Sequence, residues 1–139
     1  MNKNIILCVD DEKYVLDTLR TQILNHYGSK YECEIAENAE EAIELIEELK
    51  IDDLMIIIIV SDWLMPGQKG DEFLINIHKR FPNIVKVMLT GQANANAIEK
   101  TKNEASLHRC LQKPWKEVDL IETIETGLKK YEKTNYNLC

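Results

Sequence analysis

Four short, mainly apolar runs punctuate the chain, and each ends on polar residues. The first is Asn4-Ile5-Ile6-Leu7-Cys8-Val9, followed by Asp10-Asp11-Glu12. The second, Met55-Ile56-Ile57-Ile58-Ile59-Val60, is apolar at every position and leads into Ser61-Asp62-Trp63-Leu64-Met65-Pro66-Gly67. The third, Ile84-Val85-Lys86-Val87-Met88-Leu89, runs into Thr90-Gly91; the last, Leu107-His108-Arg109-Cys110-Leu111, precedes Gln112-Lys113-Pro114. The central run is short and β-branched, which favours a strand covered on both faces over a segment of buried helix. Pro66 and Gly67 stop regular structure, so Asp62 stands where that strand gives way to a loop.

Between the runs, apolar positions recur at helical spacing. Glu12 to about His26 carries Val15, Leu16, Leu19, Ile23 and Leu24 on one stripe, and the stretch from Tyr27 to Lys30 breaks it. Tyr31 to Ala36 reads as a shorter, more polar strand near a sheet edge. Asn38 can cap the next helix, with Glu40 and Glu41 suited to its positive end. That helix reaches about Lys50 and buries Ala39, Ala42, Ile43, Ile46 and Leu49. The link Ile51-Asp52-Asp53 leads into the central strand. Beyond the loop from Pro66 to Gly70, Asp71 to Arg80 forms a third helix with Phe73, Leu74 and Ile77 inward, ended by Phe81-Pro82-Asn83. Ala93 to Glu104 is helical but poorly amphipathic, offering mostly alanines plus Ile98, as suits an element able to shift. A final helix spans about Lys116 to Lys130, with Val118, Ile121, Ile124 and Leu128 on one side. Residues 132–139 read as a frayed tail or the start of a linker. Strands alternating with helices through five repeats specify an α/β fold, a single doubly wound five-stranded parallel sheet with helices on both faces. Right-handed crossovers follow, and one domain occupies residues 1–131.

Composition narrows the function. With 139 residues, 45% apolar and 29% charged, the chain has the make-up of one globular domain. A net charge of −7 argues against generic binding of nucleic acid or an anionic membrane by this domain. No apolar stretch before Asp10 is long enough for a signal peptide, and Leu54 to Val60 falls far short of the roughly 20 residues that span a bilayer. The cysteines (Cys8, Cys33, Cys110, Cys139) form no C-x-x-C pair, which argues against a zinc site or a disulfide framework. Cys8 and Cys110 fall inside strands, as small hydrophobes. A cytoplasmic location is expected.

In a parallel sheet the carboxyl ends of the strands gather on one edge, where ligands bind. Asp10, Asp11, Asp62, Thr90 and Lys113 then face one another. Taken singly, Asp10 and Asp11 suit the start of a helix, Asp62 a turn, Thr90 a structural hydroxyl and Lys113 a solvated charge; their common placement at strand ends is what points to chemistry. Three close carboxylates cannot all ionise without a cation between them. Oxygen-only ligands suit a hard ion that keeps several waters, and Mg2+ is the natural choice. With the metal on Asp11 and Asp62, and Asp10 nearby, one oxygen of Asp62 remains available as a nucleophile toward phosphorus. The metal and Lys113 would offset charge on a transferred phosphoryl group while the Thr90 hydroxyl bonds one of its oxygens. A cis Lys113–Pro114 bond would help aim the lysine inward.

On Val9-Asp10-Asp11-Glu12, Ser61-Asp62-Trp63-Leu64-Met65-Pro66 with Gly70, Leu89-Thr90-Gly91 and Lys113-Pro114-Trp115, the chain resembles the receiver domain of two-component response regulators over about residues 3 to 131. The resemblance implies a flavodoxin-like strand order 2-1-3-4-5 and Asp62 as phosphoacceptor, charged by a histidine kinase, a phosphotransfer protein or a small acyl phosphate. It implies an Mg2+ site of Asp10, Asp11, Asp62 and the Leu64 carbonyl, with Thr90 as switch hydroxyl and Lys113 as phosphate contact. Output to a domain or partner protein would pass through the face built by helix 93–104, strand 107–111 and helix 116–130, with room for a homodimer. Such a chain is no enzyme beyond its own phosphorylation and slow dephosphorylation. Two departures stand out. Cys110 replaces an aromatic common three residues before the lysine, so Thr90 would act through the helix that follows it; Leu64 and Gln92 flank the path of an attacking water. The Leu89 to Ala93 and Lys113 to Trp115 segments look similar to receivers fused to cyclic-dinucleotide phosphodiesterases or to hydrogenase-type transcription regulators. Two other readings compete. An aspartyl-nucleophile phosphohydrolase resembles D-x-D at the nucleophile strand, and Leu64 stands where its acid would be. A pseudo-receiver acting without phosphorylation would lack a site residue, and none is missing.

Overall fold

The computed structural model describes residues 4–51, 55–91 and 95–137. Strands β1 (Asn4–Val9), β2 (Glu32–Ala36), β3 (Met55–Asp62), β4 (Val85–Thr90) and β5 (Arg109–Gln112) alternate with helices α1 (Lys13–Tyr27), α2 (Ala39–Ile51), α3 (Gly70–Arg80), α4 (Ala95–Ala105) and α5 (Glu117–Asn137). All neighbouring strands are parallel, in the order β2-β1-β3-β4-β5. The expected doubly wound, flavodoxin-like α/β sheet is therefore what the chain builds.

The unbroken apolar character of the central strands follows from their two covers. Side chains alternate across a strand, so Ile5, Leu7 and Val9 pack with Phe73, Leu74 and Ile46 beneath α2 and α3. Ile6 and Cys8 pack with Leu16, Leu19, Ile124 and Leu128 beneath α1 and α5. A register shift at Ile5/Ile6, between β1 and β3, inserts one extra β3 residue, which a run apolar at every position conceals. At the start of α2, the Asn38 side chain accepts the Glu41 amide at 2.8 Å, the expected cap.

Several boundaries move. β3 extends through Ser61 and Asp62, because both pair with β4. β5 starts at Arg109 rather than Leu107, since the preceding Ser106 adopts φ 52 and breaks the approach to the sheet. On α5 the buried stripe is Leu120, Thr123, Ile124, Leu128 and Tyr131, whereas Val118 is 67% exposed and lies off it. The burial of Tyr131 carries this helix past Lys130 to Asn137, where the sequence reading frays it from Glu132. The first residues of the expected helix 93–104, and Gln92 and Cys139, lie outside the described residues.

Lys86 sits within β4 at 2% exposure, its ammonium donating to His78 Nδ1 at 2.7 Å and to the Pro82 carbonyl at 3.4 Å. Burial, with the Lys130 charge adding, pushes it down to about 8. A depressed folded-state pKa means that the native protein holds fewer protons than the unfolded chain above that pH. Stability is expected to rise from pH 8 toward 10 by an amount that Lys86→Met removes, measured as the wild-type minus variant difference in urea melts. A pH-independent difference would refute it.

Candidate functional site

Backbone hydrogen bonds beyond the strand ends bring the polar residues together. The Asp10 amide still donates to Ala36 on β2 at 3.1 Å, and the Asp10 carboxylate accepts the Glu12 amide at 2.8 Å, which fixes its direction. Past β3, Trp63 donates to Leu89 at 2.8 Å. The Lys113 amide donates to the Thr90 carbonyl at 2.8 Å, so the lysine is rooted on the residue that ends β4. The Lys113–Pro114 peptide bond is cis. The following loop is tied to α1 by a Trp115 indole N–H donated to Gln22 at 2.8 Å, a contact that no local sequence pattern announces.

Carboxylate oxygens of Asp10, Asp11 and Asp62 lie within 4.8 Å of one another. Lys113 Nζ sits 2.8 Å from Asp10 Oδ2 and 3.1 Å from Asp62 Oδ1, with Glu12 Oε1 at 3.9 Å. Glu12 is thus a peripheral member of the cluster that the sequence reading places only in the helix start. Asp10, Asp62 and Thr90 are buried, while Asp11 faces solvent. Thr90 lies one residue beyond Leu89, the register partner of Asp62. Leu64 is 59% exposed.

Electrostatics follow from this crowding. Burial, reinforced by the Asp10 charge, pushes the Asp62 carboxyl up to about 6 against the opposing pull of Lys113. Burial also raises Asp10, more than its bonds to Lys113 and the Glu12 amide lower it. Burial works against the Lys113 ammonium, but Asp10 and Asp62 outweigh it and hold the lysine above its ordinary range. Three carboxylates served by one ammonium leave uncompensated negative charge. An all-oxygen donor set of this kind fits a hard divalent cation.

The sequence between residues 6 and 125 matches the model of the response regulator receiver domain. This chain belongs to that family. It is a receiver domain of two-component systems, a family that acts mainly as a signalling switch and binds Mg2+ at an acidic pocket. Its relatives include the hydrogenase transcriptional regulatory protein HoxA of Cupriavidus necator, 29% identical over 123 residues that make up 88% of this chain and 24% of that protein. The chain thus spans about a quarter of the length of that relative. A CheY-like receiver domain from Methanospirillum hungatei superposes with a TM-score of 0.80 at 33% identity, covering 96% of this chain and 99% of the other. A beryllofluoride-activated NtrC4 receiver domain dimer gives a TM-score of 0.77 at 26% identity, covering 91% and 98%. Among the described residues, no helix is long and apolar enough to cross a membrane.

Proposed function

We propose that this receiver is a phosphoacceptor switch charged on Asp62. The observation that carries the reading is the single ammonium of Lys113 set between Asp10 and Asp62, at the carboxyl edge of the sheet, beside the solvent-facing Asp11. One Asp62 oxygen attacks the phosphorus of a phosphohistidine or acyl phosphate, the bond to the donor nitrogen or oxygen breaks, and the donor leaves with its electron pair. Lys113 holds the charge of the transferred group, and the Thr90 hydroxyl takes one of its oxygens. Mg2+ held by Asp11, Asp62 and the Leu64 carbonyl, with Asp10 behind them, would supply electrostatic stabilisation of the transfer.

The donor protein would be a histidine kinase or phosphotransfer protein in the cytoplasm, and the output the α4-β5-α5 face, read by a downstream domain, a partner protein or a second copy. α4 suits that role, since its buried contacts are the small side chains Ala97, Thr101 and Ala105. With Cys110 half-buried on β5 in place of an aromatic, movement of Thr90 would pass to α4 through the loop between them. Residues 132–137, the last of α5, would lead into a linker.

The test separates a switch from a hydrolase. Given Mg2+ and acetyl phosphate, the protein should take up a single phosphoryl group and retain it, with slow release of inorganic phosphate. Sustained release over many turnovers would favour the aspartyl phosphohydrolase, and no uptake a pseudo-receiver. Leu64, two residues beyond Asp62 and apolar, should shield the phosphoaspartate from water. Leu64→Asn is expected to shorten the lifetime of the phosphorylated form several-fold, followed by phosphate-affinity gel; an unchanged or longer lifetime would refute the shielding role.

A further inference from the structure

The loop that carries Lys113 is held at two points. At the first, the Lys113 amide donates to the Thr90 carbonyl at 2.8 Å. At the second, the Trp115 indole N–H donates to the Gln22 side-chain oxygen at 2.8 Å, across 93 positions of the chain. Only Pro114 separates the two, and its ring fixes φ, so a displacement of Trp115 is carried to the lysine. Gln22 is half-buried on α1 beside the wholly buried Ile23, and Leu16 and Leu19 seat the same helix on the sheet. The Trp115 ring packs against that apolar cluster too. Because α1 begins directly after Asp10, Asp11 and Glu12, one helix is joined both to the acids and to the loop that brings the ammonium to them.

We propose that Gln22 is a positioning residue for Lys113, acting through Trp115. The need for one follows from the side chain it serves. A lysine is a point charge on a flexible four-carbon stem. Here it must reach two carboxylates at once, with Nζ 2.8 Å from Asp10 Oδ2 and 3.1 Å from Asp62 Oδ1. The bond to Thr90 fixes only the lysine backbone, and both Pro114 and Lys116 are exposed. Without the Gln22 oxygen, the half-buried indole N–H loses its acceptor and the ring turns toward water to recover one. The lysine follows, and its contacts with Asp10 and Asp62 loosen. What the lysine is for rests on Asp62 as phosphoacceptor; where the lysine sits is measurable without it.

Two readouts on the full chain test this. One is the rate of phosphorylation by acetyl phosphate with Mg2+. The other is acylation of Lys113 by acetic anhydride in metal-free buffer, measured by peptide mapping relative to the other lysines; the Lys113 side chain is 17% exposed and its ammonium is held between two acids. Gln22→Leu, which keeps the bulk and removes the acceptor, should slow phosphorylation and raise Lys113 labelling, each by about threefold to tenfold, the range that one hydrogen bond carries. Gln22→Glu keeps an oxygen for the indole N–H and should hold both readouts within about twofold of wild type. Trp115→Phe, which keeps a ring and removes the donor, should reproduce the effects of Gln22→Leu, and combining the two should change neither readout further. A loss of stability alone would leave Lys113 labelling in the folded protein where it was. Wild-type rate and labelling in Gln22→Leu, equal slowing by Gln22→Glu, or an additive loss in the double variant would overturn the proposal. If the wild type itself takes up no phosphate, the phosphoacceptor reading fails and the labelling alone decides the place of Gln22.

Discussion

Gly70→Ala is expected to destabilise the protein by about 3 kcal/mol or more and to abolish Mg2+-dependent phosphorylation with it. A Cβ built on Gly70 would stand 2.0 Å from the Asp62 carbonyl oxygen and 2.8 Å from the Trp63 Cα. Both are backbone atoms, so no side-chain rotation relieves the overlap. The N-terminus of α3 would have to lift away from β3, breaking the 2.7 Å hydrogen bond from the Gly70 amide to Trp63 and displacing the residue that follows Asp62. At this chain length the melting temperature should fall by about 10 °C. Gly91→Ala is the matched control, because a Cβ there meets nothing within 4 Å, and its melt should stay close to wild type. Equal melting of the two variants would contradict the close packing of the loop on β3.

The second large effect is at Lys113. Its ammonium is the positive charge that contacts both Asp10, wholly buried, and Asp62, 4% exposed. Removing one partner from a buried, hydrogen-bonded ion cluster costs about 3–5 kcal/mol, since the remaining charges stay buried without compensation. Lys113→Ala should lose stability of that order at neutral pH in metal-free buffer. The Asp62 carboxyl already stands at about 6, above its ordinary range, and the variant should push both acids higher. A raised folded-state pKa gives stability that is present at low pH and lost as pH rises through that value. The gap between wild type and Lys113→Ala should therefore narrow as pH falls from 7 to 5. Mg2+ should narrow it at pH 7 by supplying the missing positive charge. A gap that stays constant across this pH range and is indifferent to Mg2+ would show that the lysine acts through packing alone.

How much of this was legible in the sequence depends on what each residue had to reveal. The central run Met55 to Val60, apolar at every position, announced a strand with two covered faces, and the polar residues closing four such runs announced the sheet edge where they meet. Asp10, Asp11, Asp62 and Lys113 do meet there. The same uniform hydrophobicity hid the register shift at Ile5/Ile6, because an extra isoleucine among isoleucines leaves no mark on a pattern. Val118 misled for the opposite reason. Its spacing to Ile121 fits a helical stripe, but the true stripe is centred on Leu120, Ile124 and Leu128 and turns Val118 outward. The Trp115–Gln22 hydrogen bond could not be foreseen, since it joins residues through space that share no local motif.

The central claim is that the pocket formed by Asp10, Asp11, Asp62 and Lys113 exists to place a phosphoryl group on Asp62. Its most direct test is mapping the modified residue after exposure to acetyl phosphate and Mg2+, with Asp62→Asn and metal-free samples run in parallel. The predicted result is a single acyl phosphate on the peptide that contains Asp62, absent from the variant and from the metal-free protein. Phosphate on another residue, or equal uptake by Asp62→Asn, would contradict it.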